Sequence, residues 1–160
     1  MTFDNSKTII SLRLKLFGAT VVFLSYLALA YVAKLIKFPL LGMTETFWTV
    51  SLAVIYLLIA FFPMMLNYQY IFYSDDNDRI VLRYFTAGII GGRKNSVEID
   101  KRLFSGYKTD SKWFGLIQSI TLFQNAKGGI AKYPTVYISV LTREERSKLL
   151  RSLNSYLPQA

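Results

Sequence analysis

The chain has 160 residues, 52% of them hydrophobic, and sets nineteen Lys and Arg against ten Asp and Glu, a formal net charge of +9. It contains no cysteine and no histidine, which excludes disulfides, Cys/His zinc centres, thiol nucleophiles and imidazole general bases. So high a hydrophobic share in a basic chain points to a part that sits in lipid.

The charge is unevenly spread. Lys7, Arg13, Lys15, Lys34 and Lys37 precede Phe38, the other fourteen basic residues follow Asp78, and none lies between. Basic surfaces flanking such a gap are the pattern of a membrane-inserted segment. Leu16 to Ala33 is a run of eighteen uncharged residues, which at a helical rise of about 1.5 Å per residue covers most of a hydrocarbon core roughly 30 Å thick. Thr46 to Leu66 is a second run of twenty-one, with Trp48 near its start and Tyr68 and Tyr70 just past its end, where aromatic rings favour the headgroup level. The rival reading of the first run is a signal peptide over residues 1–30, with Ala28-Leu29-Ala30 as the cleavage site; against it, the apolar run continues through Ala33.

No Asp, Glu, Lys or Arg lies within either run, so neither offers a proton relay or ion site. Pro63 is a tolerated proline near the end of the second. Lys7, Arg13 and Lys15 before the first span, with the basic region after the second, favour both termini in the cytoplasm; Lys34 and Lys37 in the hairpin oppose this and can snorkel. The expected order is a cytoplasmic segment (1–15), a transmembrane helix (16–36), a short extracytoplasmic loop (37–45), a second transmembrane helix (46–66) and a cytoplasmic domain (67–160). Small residues in the first span, among them Gly18, Ala19 and Ala28, permit close helix packing, within the hairpin or in a homo-oligomer.

After residue 67 the pattern shortens and alternates. "NYQYIFYS" and "RIVLRYF" predict strands. Asp75-Asp76-Asn77-Asp78 between them fails as a calcium loop, since Arg79 and Ile80 fall where a ligand and a glycine are needed. It reads as a hairpin turn, and no metal or other cofactor is expected. Gly88, Gly91 and Gly92 before Arg93-Lys94 supply no phosphate-loop register and read as a turn or bulge. "SVEID" predicts a strand with Val97 and Ile99 inward. Further strands are expected at "LFSGYKT", "IQSITLF" and "TVYISVL", with turns at 109–112 and 125–129. In "TREERSKLLRSLNSYLP", Thr142 and Glu145 form a capping box, Leu149, Leu150, Leu153, Tyr156 and Leu157 share a helical face, and Pro158 ends the pattern.

Two adjacent spans followed by an all-strand domain with one terminal helix resemble the membrane-associated bacterial PH-like proteins. The resemblance rests on the order of elements over nearly the whole chain. It implies a transmembrane hairpin in the bacterial inner membrane and a mainly β PH-like barrel of about six or seven antiparallel strands with one C-terminal capping helix. The phosphoinositide site of eukaryotic PH domains does not carry over, because the loop between the first two predicted strands is acidic.

Arg93, Lys94, Lys101, Arg102, Lys108 and Lys112 are candidates for contact with anionic headgroups, or else an ordinary solvated surface. Trp113 and Phe114 either close the barrel end, dip into the bilayer interface or dock a protein. Positive-inside charge accounts for the basicity without nucleic acid, and no pair of acid-base residues is marked as a catalytic site. The functional expectation is a non-catalytic membrane protein whose domain serves as a protein-docking or membrane-apposed scaffold, an accessory subunit of a membrane complex. The alternative is an anionic-lipid sensor.

Overall fold

The structure is a computed structural model and describes residues 1–87 and 92–157. Two compact units emerge: Ile10–Pro63, and a second made of Met1–Ile9 together with Met64–Ala160.

The first unit is helical. Helix α1 (Ser6–Leu27) enters it and continues into a turn of π-helix, Ala28–Val32; helix α2 (Glu45–Met65) leaves it. Both are long and apolar enough to cross a membrane, and only 6% and 11% of their most apolar windows are buried. A core helix of a soluble protein would be buried mostly in protein, so these faces await another covering. The helices run antiparallel, joined by Thr20 Oγ1 to Tyr56 Oη at 3.2 Å and Tyr26 Oη to Thr49 Oγ1 at 3.0 Å. Phe23 stacks on Tyr56 with ring centroids 4.9 Å apart.

The second unit holds two four-stranded antiparallel sheets among the described residues. The first is β1 (Thr2–Asp4), β2 (Gln69–Ser74), β3 (Arg79–Thr86) and β4 (Asn95–Asp100), in that order. Strand β1 had no expectation in the sequence, yet it pairs with β2 in the register Phe3 to Tyr73. The whole helical unit is thus inserted between the first two strands of one sheet. The second sheet is β5 (Phe104–Lys112), β6 (Ile117–Ala126) and β7 (Gly129–Lys132), with β8 (Val136–Tyr137) also paired to β6. Helix α3 (Arg143–Ser155) follows.

Alternation works as expected where strands are half-buried. Ile71 and Tyr73 of β2, Ile80 and Leu82 of β3, and Val97 and Ile99 of β4 point into one core, met by Phe104, Ile120, Leu122 and Val136 from the other sheet and by Ile138 just past β8. Leu149 and Leu153 of α3 enter the same core, and Tyr156 packs at its margin.

The expected barrel is corrected in one respect: the sheets do not close. The ladder breaks between β4 and β5 at a 3₁₀ turn, Lys101–Leu103, where the Asp100 carboxylate accepts from the Arg102 amide. Helix α3 bonds to both sheets instead, Ser152 to Tyr73 of β2 at 2.7 Å and Asn154 to Tyr107 of β5 at 2.7 Å. Its leucines complete the enclosure that a ring of paired strands would otherwise make.

The acidic stretch forms the β2–β3 turn, with Asn77 at φ 58°, a left-handed conformation that asparagine tolerates. Its oxygens are taken mostly by residues distant in sequence: Asp75 accepts from Ser152 and from Tyr156, and Asp76 from Thr2 as well as from the adjacent Ser74. The capping box of α3 is complete, Glu145 N donating to Thr142 Oγ1 at 3.2 Å and Thr142 N to Glu145 Oε2 at 2.8 Å. Thr142→Ala is expected to cost about 1 kcal/mol, read as a lower unfolding midpoint of the full chain in detergent with an unchanged denaturant slope.

Gly88, Gly91 and Pro158 lie outside the described residues.

Candidate functional site

One turn falls at a different position from the sequence expectation, and it makes the site. Residues 109–112, expected as a turn, remain in β5, with Asp110 paired to Ser119 and Lys112 to Ile117. The reversal falls at Trp113 to Leu116. Trp113 and Phe114 both have φ 53°, and Gly115 N closes the turn on Lys112 O at 3.2 Å. Gly115 follows at φ 93°, and Leu116 N donates to Trp113 O at 3.1 Å, so three successive left-handed residues build the four-residue loop that joins Lys112 to Ile117; asparagine and glycine are the residues that tolerate this backbone. Bulky L-residues there cost about 1–2 kcal/mol each.

The aromatic side chains recover little of that cost inside the protein. Trp113 is 63% exposed and Phe114 fully so, with Leu116 beside them at 56%. They do not close an end of the β unit. The turn thus presents three large apolar side chains to the outside of the β unit.

The tip lies at a definite end of the unit. Gln118 Nε2 donates to Gly115 O at 3.2 Å, its neighbour Ser119 pairs with Tyr137, and Tyr137 N donates to Gln69 Oε1 at 2.9 Å. Gln69 opens β2, just after α2 ends at Met65. Ile9, from the start of α1, packs nearby with Ala87, Val140, Tyr68 and Tyr70. The tip therefore shares an end with the two points where the chain passes to and from the helical unit, which we call the junction end.

The six basic candidates are divided along this axis. Lys112 precedes the tip. Arg93 and Lys94 lead into β4, whose first residue pairs with Tyr84, and Gly92 lies against Thr86 at the end of β3. These three belong to the junction end. Lys101 and Arg102 lie past the other end of β4, six residues or about 20 Å away. There Lys101 Nζ sits 4.7 Å from the Tyr156 ring centroid, and Arg102 binds Asp100 at 3.3 Å, holding that carboxyl below its ordinary range. Lys108, midway along β5, pairs with Asp110 at 3.7 Å.

The outward face of the first sheet adds Phe72, Arg83 and Phe85 to the residues singled out from the sequence. Tyr70, Phe72, Arg83 and Phe85 project from β2 and β3 beside Lys94 and Ser96, lining an open groove of about 470 Å³. Tyr70 and Phe85 stack at 4.7 Å, and the Arg83 guanidinium lies 5.8 Å from the Phe72 ring centroid. The signal was legible: in "RIVLRYF" the inward residues Ile80, Leu82 and Tyr84 leave Arg83 and Phe85 on the opposite face. The Ser6 hydroxyl beside Asp4 keeps that carboxyl below its usual range, while burial and then Asp4 push the Tyr70 phenol up.

Among the described residues no three His, Cys, Asp or Glu side chains gather as metal ligands. No family model matches the chain, and no curated protein or solved structure matches it.

Proposed function

We propose that the chain is a non-catalytic integral membrane protein whose β unit works as a membrane-apposed scaffold, held against the bilayer by the Trp113-Phe114 hairpin tip. In this reading α1 and α2 cross the bilayer as a hairpin. Strand β1 precedes α1 and pairs with β2, which follows α2. Hydrogen-bonded strands share one side of a membrane, so an even number of crossings fits the fold and cleavage after Ala30 does not. Lys7, Arg13 and Lys15 favour the cytoplasmic side. Two sheets followed by one C-terminal helix support the PH-like part of the reading, with the difference that strand β1 precedes the helices.

The observation that carries the proposal is the exposed pair Trp113 and Phe114 in left-handed conformation, at the end where the chain joins the apolar helices. Indole and phenyl rings favour the headgroup level, and Lys112 beside them suits an anionic leaflet. A tether of a few residues keeps the tip within reach of lipid, so weak insertion suffices.

The test uses Trp48→Phe protein, in which Trp113 is the one remaining tryptophan. In proteoliposomes, Trp113 emission is expected to be blue-shifted and quenched by brominated lipid. Free access of aqueous iodide with no bromine quenching overturns apposition. Protection from both quenchers also overturns it, in favour of protein docking and the accessory-subunit reading.

A further inference from the structure

The groove on the outer face of the first sheet is a separate feature from the hairpin tip. Its floor is aromatic, Tyr70, Phe72 and Phe85, and its two cations are Arg83 and Lys94. Neither cation is ion-paired with a carboxylate among the described residues; Arg83 has the face of Phe72 as its neighbour.

The acids on this face have partners other than the two cations. Asp4 accepts from Ser6 N at 3.0 Å, from Ser6 Oγ at 2.6 Å and from Tyr70 Oη at 3.3 Å. Glu98 is 3.7 Å from Arg79, and Asp100 binds Arg102. Arg83 and Lys94 thus share the groove without ion-pair partners among the described residues, while Asp4 and Glu98 at its margins bond to Tyr70 and Ser96. Ser96 pairs with Arg83 across the ladder, and its hydroxyl donates to Glu98 Oε1 at 3.4 Å.

We propose that this groove binds the phosphate of one anionic glycerophospholipid, with Arg83 and Lys94 on the phosphate and the Tyr70–Phe85 stack against the glycerol and first acyl carbons. Arginine offers a planar fork of donors to phosphate oxygens, and lysine a mobile point charge. A free phosphate would use the cations and leave the aromatic floor idle, whereas a lipid uses both. Tyr70 follows the end of α2 by five residues, so the groove opens close to the junction end. The assignment rests on the apposition reading for the source of its phosphate.

The test is native mass spectrometry of the full chain in detergent, titrated with dioctanoyl phosphatidylglycerol, dioctanoyl phosphatidylcholine or glycerol phosphate. One phosphatidylglycerol is expected to bind in preference to phosphatidylcholine. Arg83→Gln with Lys94→Gln should weaken it about thirtyfold, roughly fivefold per cation. The pair Lys101→Gln with Arg102→Gln, at the far end, should leave it unchanged.

Equal binding of the two lipids, equal losses from the two pairs, or glycerol phosphate binding as tightly as the lipid each overturn the site; the last assigns the groove to a soluble anion. Brominated-lipid quenching of Trp113 in the Arg83→Gln, Lys94→Gln protein reads apposition separately. Quenching without lipid preference removes the groove site and leaves apposition standing. Preference without quenching removes apposition and leaves the groove as a lipid site.

Discussion

Asn5→Ala is expected to destabilise the β unit by about 2–5 kcal/mol, because one buried and one partly buried backbone group would lose their partners at once. Asn5 is 1% exposed. Its Oδ1 accepts from Ile71 N at 2.8 Å, and its Nδ2 donates to Gln69 O at 3.0 Å. Its backbone is committed too, its amide donating to Ile71 O and its carbonyl accepting from Ile9 N. One side chain thus completes the β1–β2 ladder at the point where the strand becomes a helix. Alanine leaves the Ile71 amide without a partner in a core where water cannot replace it.

The measurement is denaturant unfolding of the full chain in detergent together with amide exchange. The midpoint should fall, and the amides of Phe3 and Ile71 should lose protection before those of β3 and β4. A change under about 0.5 kcal/mol, the scale of an ordinary surface substitution, would show that the pin carries no weight.

Replacing Trp113-Phe114 by Asn-Gly is expected to stabilise the β unit by about 2–4 kcal/mol, the relief of two left-handed L-residues at about 1–2 kcal/mol each. The strands flanking the turn stay paired in the same register, and little packing is lost because both rings point outward. The same change should detach the tip from lipid. The chain has no cysteine, so Leu116→Cys carrying a polarity-sensitive dye reports on the tip alone. Its emission should be blue-shifted in proteoliposomes with Trp113-Phe114 and red-shifted with Asn-Gly. Gain of stability with loss of bilayer contact is the expected combination; a loss of stability would mean that the rings pack where the structure leaves them exposed.

Local signals made much of this fold legible. The β2–β3 hairpin was readable from two aromatic-rich runs about an acidic turn, the inward residues of β4 from simple alternation, and the start of α3 from Thr142 and Glu145. What escaped was set by partners distant in sequence. "TFD" has no periodicity to read, and it is a strand only because β2 offers an edge. Asp110 and Ser111 have turn chemistry but are held in β5 by Ser119 and Gln118. The opposite error occurred after Tyr137, where an alternating run leaves the sheet early because Leu141 N turns back to Ile138 O at 3.1 Å.

The candidate site was half legible. Trp113 and Phe114 stood out by type, but their conformation and exposure follow from the hairpin register. The six basic residues looked like one face in linear sequence. A strand of about 20 Å separates Arg93 and Lys94 from Lys101 and Arg102, and Arg83, folded beside Lys94, was missed.

The placement of β1 also dictates an order of assembly. Phe3 must wait for Tyr73, seventy residues later, with both apolar helices made in between. Until then β2 has no neighbour on that side, and the sheet has an open edge able to pair with any other extended chain. Local hairpins such as β5–β6 form between near neighbours, whereas this ladder closes the longest loop in the unit and so comes late. A newly made chain is therefore most vulnerable to mispairing between the emergence of β2 and the return of its first strand. Proteolysis ahead of Ser6 would return a finished molecule to that state.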